Sequence, residues 1–418
     1  MVSKFKINKI ILVFFSVLLL YAPEIRILPH YTWILAVISV LLVCLKKRFA
    51  REYGIMSNCT YFIFGILLVD VLWSLIVIII NMTADYSYIV FLIGTLLTII
   101  RTFLLVYVLS KSCCEKENCL DIYCETMACT GVVYVLFTIA FIILPKFKTF
   151  WLSKVIFTAT RDYYAYEFRY SLNGFAAFAS STISSIIVLI CAYLLVKNSK
   201  ESNWIKYLLY YIINIVGCFF YGRICIFAMM LSAIYILYFM INKRYFFKIA
   251  LFIIMIAVGL YGLLIYLASV NDSFLYWKNW SFAIFNQIFS KTGITDYSVT
   301  HMLDDMYFMP ELKTIIIGDG QYMLSNGNYY KNTDVGILRS ILFFGIPGLI
   351  LNTLLVVYPF KKIYRLLGDK REKFLLFLIL IMWLILELKG EAYQRILQMI
   401  LPIYYVVYHN KVRYKKCL

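Results

Sequence analysis

Arg169, Arg223 and Arg339 each stand at the start of a long apolar run. A guanidinium offers five N–H donors in a planar fork. A helix N-terminus adds unpaired N–H groups and about half a positive charge. Together they suit bidentate phosphate binding, so three such places acting as a set would hold a compact dianion such as a pyrophosphate. Taken singly, each arginine is equally explained by snorkelling to lipid headgroups or by pairing with a nearby carboxylate. Arg161, with Glu167 in the same segment, is a further candidate. Asp334 occupies the expected N-cap position of the third run, with Thr333 beside it, which marks a helix start.

Proton-transfer groups cluster elsewhere. His301, Asp304, Asp305, Glu311, Asp319 and Asp334 form a polar, acidic stretch punctuated by Gly318-Asp319-Gly320 and Asn326-Gly327-Asn328, both turn signals. A carboxylate or an imidazole can take a proton from a hydroxyl, and a free imidazole titrates near ~6.5. The residue types leave the base open among Asp334, His301, Asp304 and Asp305. Tyr163, Tyr164, Tyr166 and Tyr170 surround Arg161 and Arg169, as a sugar-stacking surface or as part of an interfacial aromatic belt. Asp70 and Arg101 fall at similar depth within apolar runs, where ionisable groups pair or line a polar path; an ion pair is the expectation. Cys113, Cys114, Cys119, Cys124 and Cys129 lack the paired two-residue spacing of a zinc site. No Walker, dinucleotide-binding or His-Glu-x-x-His pattern occurs, so neither a cofactor nor a metal is expected.

The elements that must carry these groups follow from composition. The chain has 418 residues, of which 63% are hydrophobic and 15% charged, and its mean hydropathy is +0.84. That leaves too little polar surface to coat a soluble globule, and it excludes a disordered chain. Apolar runs fall near 8–22, 31–45, 60–80, 87–109, 125–144, 174–196, 204–220, 224–241, 246–268, 336–359, 374–388 and 395–409. At about 20 residues per crossing these predict an all-α, polytopic integral membrane helix bundle of about 12 transmembrane helices. It reads as a single membrane domain over 1–418 with two larger outer loops, 145–173 and 269–335. The first run, after Lys4, Lys6 and Lys9, is read as a retained span rather than a cleaved leader. The 204–241 stretch reads as a hairpin or a re-entrant pair.

Lys and Arg number 40 against 22 Asp and Glu, a formal net charge of +18. The basic residues concentrate in 1–9, 46–59, 110–120, 197–203, 242–248, 361–373 and 409–418, which places both termini in the cytoplasm. The charge is thus a topological signal and an attraction to anionic membrane lipids, with no nucleic acid implied. The cysteines fall in spans or on this inner side, so no disulfide framework is expected. The aromatic run from Ser273 to Phe289 fits a helix in the membrane interface, either capping the bundle or guiding a lipid-linked ligand. The short first outer loop, with Glu24, Arg26 and His30, lacks the acidic metal motif of dolichol-sugar transferases.

The layout resembles the Wzy-type polysaccharide polymerases of O-antigen and capsule biosynthesis and their relatives, the O-antigen ligases. The local echoes are Phe168-Arg169-Tyr170-Ser171-Leu172-Asn173-Gly174, Tyr221-Gly222-Arg223, and Ile317-Gly318-Asp319-Gly320 followed by Thr333-Asp334-Val335-Gly336-Ile337-Leu338-Arg339 and Phe344-Gly345-Ile346-Pro347-Gly348. One spaced arginine–glycine pattern of some members is missing, since Ser180 holds the glycine position counted from Arg169. The resemblance implies a metal-independent glycosyltransferase at the bacterial inner membrane, its active site facing the periplasm or exterior. It would move a growing glycan from undecaprenyl pyrophosphate to the non-reducing end of another lipid-linked oligosaccharide repeat, beside a flippase and a chain-length regulator. Arg169, Arg223, Arg339 and Arg161 would then grip the pyrophosphate. A ligase, or a flippase of lipid-linked oligosaccharides, is the alternative.

Overall fold

The computed structural model of the chain describes residues 8–113, 118–156, 168–200, 203–241, 246–290 and 300–417. It is all-α apart from four two-residue strands. The helices are α1 Lys9–Tyr21, α2 Tyr31–Leu45, α3 Lys47–Glu52, α4 Asn58–Ile80, α5 Ser87–Ser112, α6 Cys119–Ile143, α7 Pro145–Lys154 and α8 Phe178–Lys197. They continue with α9 Trp204–Tyr221, α10 Cys225–Met240, α11 Phe246–Val270, α12 Asp272–Ser290, α13 Leu312–Ile316, α14 Gly336–Leu366, α15 Lys370–Glu387 and α16 Tyr393–Cys417. Every apolar run of the sequence falls on a helix. Among the described residues six of them, α4, α5, α6, α8, α9 and α14, are long and apolar enough to cross a membrane by length and composition. The others are shorter, as α1, α2 and α10 are, or have charge within their ends, as α15 and α16 do. The 204–241 stretch is two helices, α9 and α10, divided at Gly222-Arg223.

The chain forms two compact units. One comprises residues 16–29 and 124–299. Its core is α8, buried along nearly its whole length, with α9 and α10 packed on it. The start of α8 explains the close fit: Ser180, Ser181, Thr182, Ser184 and Ser185 are all buried, and small residues let helix backbones approach. The helix begins at Phe178, not at 174, because Gly174–Phe175 (β4) pairs antiparallel with Tyr170–Ser171 (β3). A second short ladder joins Glu24–Ile25 (β1) to Val155–Ile156 (β2).

The other unit comprises residues 1–15, 30–123 and 300–418. Here α14 packs on α4 and α16, and α5 on α2 and α16. Helix α14 is broken: Phe344 and Gly345 leave helical geometry, and Gly345 has φ +69° and ψ −166°, a region open almost only to glycine. The break is held from outside. Asp319 N–H donates to Leu342 O at 2.7 Å, Gly320 N–H to Phe343 O at 2.9 Å, and the Trp73 indole to Phe344 O at 2.9 Å. The approach is so close that a Cβ on Gly345 would meet Ile316 O at 2.6 Å. Two glycine turns about 25 residues apart in sequence therefore interlock back to back, and Pro347 restarts the helix where its missing N–H is harmless.

Two local expectations are corrected. Asp334 does not cap α14: the N-cap is Val335, with no side-chain capping bond, and Asp334 is exposed. Thr333 shapes the entry instead, accepting from Val335 N–H at 3.2 Å and donating to Met306 O at 3.0 Å. Asp70 and Arg101 do not form an ion pair. Both Asp70 carboxylate oxygens are buried without a hydrogen-bond partner, while Arg101 donates to Thr98 Oγ1 at 2.7 Å. The α4–α5 hairpin turns at residues 81–86, so Asp70 lies level with residue 97, about one turn from Arg101.

Candidate functional site

In the unit built on α8, the segment before that helix is a hairpin, β3–β4, that turns at Leu172-Asn173 with Gly174 at φ +85°. It is tied down from three directions. Trp151 donates to Leu172 O at 2.8 Å, Tyr134 to Asn173 Oδ1 at 2.6 Å, and Ser171 Oγ to Tyr134 O at 2.9 Å. Arg169, at the root of the hairpin, donates through Nη2 to Ala176 O at 3.1 Å and to Tyr221 O at 2.9 Å. Tyr221 is the last residue of α9, whose final carbonyls have no partner within the helix. Ser181 Oγ donates to the same carbonyl at 2.9 Å. Arg169 thus finishes α9 as well as placing a cation there.

Arg223 follows two residues on, between α9 and α10. Both guanidiniums lie over one indole: Arg169 Cζ is 5.4 Å and Arg223 Cζ 5.3 Å from the Trp280 ring centroid, within cation–π range. Trp280 belongs to α12, which is pinned on the preceding carbonyl, because the Trp277 indole and Ser281 Oγ each donate to Phe219 O at 3.3 Å. Trp277 stacks on Phe220 with centroids 4.7 Å apart, and Phe282 on Phe219 at 5.4 Å. The aromatic run of the sequence therefore lies on a helix, and its Trp277 and Phe282 rings pack on the end of α9.

Three residues from Trp280 along α12, Trp277 lines a cavity of about 570 Å³. Ile142 of α6, Ile215 and Phe220 of α9, Leu264 of α11 and Phe282 of α12 share its wall, and every lining residue is aliphatic or aromatic. Two cations on an indole and an apolar cavity thus adjoin on one helix. This arrangement suits an amphiphile with an anionic head and a hydrocarbon tail. Arg161, together with Tyr163, Tyr164, Tyr166 and Glu167, lies outside the described residues.

Arg339 belongs to the other unit. It is the fourth residue of α14, 8% exposed, and forms an ion pair with the buried Glu391 at 3.4 Å. Its Cζ lies 3.5 Å from the Tyr329 ring centroid and 4.4 Å from that of Tyr322. Tyr322 accepts from Arg339 and donates to Glu391 Oε2 at 2.5 Å. The network extends inward: Tyr88 and Tyr393 share a hydrogen bond at 3.0 Å, and Asn352 donates to Tyr88 at 2.9 Å. Burial raises the Glu391 carboxyl above its ordinary range, against the opposing pull of Arg339 and the hydrogen bond from Tyr322. The charge of Arg339 is therefore already answered by a carboxylate, unlike the role read from its sequence position alone.

Of the proposed bases, His301 Nδ1 meets Asp305 Oδ2 at 2.5 Å across one turn, on the π-helical segment Met302–Met306 and its N-cap. Asp304 and Asp334 are exposed. A carboxylate on one ring nitrogen fixes an imidazole's orientation. Glu391, Tyr322 and Trp280 carry much of this geometry without having been singled out from the sequence. The signal for Glu391 was present: it is an acid in the short connection between two apolar runs, α15 and α16.

Asp85 docks the 318–323 segment. Its carboxylate accepts from the Tyr322 N–H at 2.5 Å, the Met323 N–H at 2.7 Å and the Ser87 N–H at 2.9 Å. Burial opposes the charge, but the Ser87 hydroxyl and these backbone donors outweigh it and hold Asp85 below the usual carboxylate range. With a folded value below an unfolded one near ~3.9, the stabilisation is complete above that value. It is lost as pH falls through the folded value. Asp85→Asn should lower the thermal midpoint in detergent at pH 7 and flatten the acid limb below about pH 4. An unaltered acid limb would reject the assignment.

No family model, curated protein or solved structure matches this chain.

Proposed function

We propose that the protein is a glycan polymerase of the bacterial inner membrane, acting on undecaprenyl-pyrophosphate-linked repeats, with the roughly twelve helices from α1 to α16 that carry the apolar runs as its spans. The observation that carries this reading is the pair Arg169 and Arg223 over Trp280, beside an all-apolar cavity on the same helix. The pyrophosphate would lie on the guanidiniums and the first isoprene units in the cavity. Pyrophosphate is already a good leaving group, so the reaction calls for stabilisation of developing negative charge and removal of one hydroxyl proton. Two arginines supply the first. The second calls for a carboxylate or an imidazole. Arg339 serves to hold Glu391 and Tyr322 in place.

Deletion of the gene, with surface glycan resolved on a gel, tests the reading. The expected pattern is a single repeat unit on the acceptor with the ladder gone. A bare acceptor with accumulated lipid-linked polymer would mean a ligase, and repeat units trapped on the inner leaflet would mean a flippase.

A further inference from the structure

A cavity of about 1040 Å³ opens in the unit formed by residues 1–15, 30–123 and 300–418. Its walls come from three separated stretches, within residues 44–53, within 107–113 together with Cys119, and within 409–413. These are three of the basic segments that the lysine and arginine bias assigns to the cytoplasmic side. That bias explains why such charge lies on one face; it does not explain why the charge is folded around a concavity. Lys46, Lys47, Arg48, Lys111 and Arg413 line it. Among the described lining residues Glu52 is the one carboxylate, and Arg48 Nε already engages it at 3.1 Å.

The floor is aromatic. Tyr53 stacks flat on His409, with centroids 4.0 Å apart and planes within 3°. Phe49 sets its edge against Tyr107 at 5.1 Å, and Lys111 Nζ lies 5.4 Å from the Tyr107 centroid. Next to Tyr53, Gly54 packs against the Tyr408 ring, which a Cβ there would meet at 2.6 Å. Cations around an aromatic floor, at the end of membrane helices, match the chemistry of a phosphate ester.

We propose that this cavity binds a phosphate-ester anion, gripped by Lys46, Lys47, Lys111 and Arg413 above the Tyr53–His409 floor. The anion comes either from an anionic lipid headgroup or from a soluble phosphate compound. The site is separate from the arginine pair over Trp280, and it stands whether or not the polymerase reading does.

The test uses the full chain in phosphatidylcholine nanodiscs, with bound ligand followed by the shift in thermal midpoint. One arm adds phosphatidylglycerol to the nanodisc; the other adds ATP or inorganic pyrophosphate to the buffer. A saturable upward shift in the first arm identifies a lipid source, and one in the second a soluble source. In either arm, Lys46→Gln/Lys47→Gln/Arg413→Gln should weaken the apparent affinity about a hundredfold, at roughly a factor of five per charge. Its midpoint in phosphatidylcholine alone should match that of the unaltered chain. Should the triple variant fail to fold, Lys47→Gln, an exposed change, should weaken it roughly fivefold. No saturable shift in either arm, or equal shifts with and without the substitutions, would overturn the proposal.

Discussion

Arg223→Ala is expected to reduce polymer formation about a hundredfold while the protein persists in the membrane at its normal level. Loss of a donor aimed at developing negative charge typically has this effect, ~2.7 kcal/mol of transition-state stabilisation. Arg223 is the cleaner of the pair to test, because the hydrogen bonds that finish α9 belong to Arg169 and Ser181. Arg223→Lys should recover only part of the rate, since an ammonium retains the charge without the planar fork. Arg169→Ala should be worse in both respects, lowering activity and also loosening the hairpin it joins to Tyr221. Full-length polymer at normal yield from Arg223→Ala would remove the anion site from consideration.

The second large effect concerns stability. Glu391→Leu should destabilise the protein by about 3–5 kcal/mol, because it leaves the buried Arg339 guanidinium without its counter-charge. That is a large share of the ~5–15 kcal/mol that typically separates folded from unfolded chains. Arg339→Met should cause a loss of similar size by stranding the carboxylate. The double variant Arg339→Met/Glu391→Leu should be less damaged than the sum of the two, since a buried pair can be replaced by apolar side chains of like volume at little net change. Thermal unfolding of the four proteins in one detergent gives the coupling directly. Strictly additive losses would mean that Arg339 and Glu391 do not act as a pair.

Helices were legible in the sequence because the solvent-matching demand of a membrane repeats itself at every crossing, and each apolar run from 8 to 409 lies on one. What the runs did not reveal is set by single residues. The start of α8 shifted because Asn173-Gly174 supplies a hairpin turn, and a short polar turn competes locally with any helix entry. The break in α14 was written as Phe344-Gly345 followed by Pro347, yet its partner turn at Gly318–Gly320 lies in a segment whose docking only three-dimensional contact reveals. The arginines were found by their place at the start of apolar runs. Their partners were not, since nothing local links Arg339 to Glu391 or Arg223 to Trp280. The Asp70–Arg101 expectation failed on a one-turn offset, which depth alone cannot resolve.

The interlocked turns also bear on how such a chain can vary. The segment from Asp319 to Arg339 leaves the first half of α14 and returns to it. It is fastened at the near end by Asp319 N–H and Gly320 N–H on Leu342 and Phe343, and farther along by Tyr322 on Arg339. Between these fastenings and α14 runs an exposed tip, Ser325–Asn328. Lengthening a loop closed on fixed ends adds only about 0.6 kcal/mol for each doubling. Insertions at Asn326-Gly327-Asn328 can therefore accumulate without displacing Arg339, so the tip is where relatives of this chain are free to differ in length.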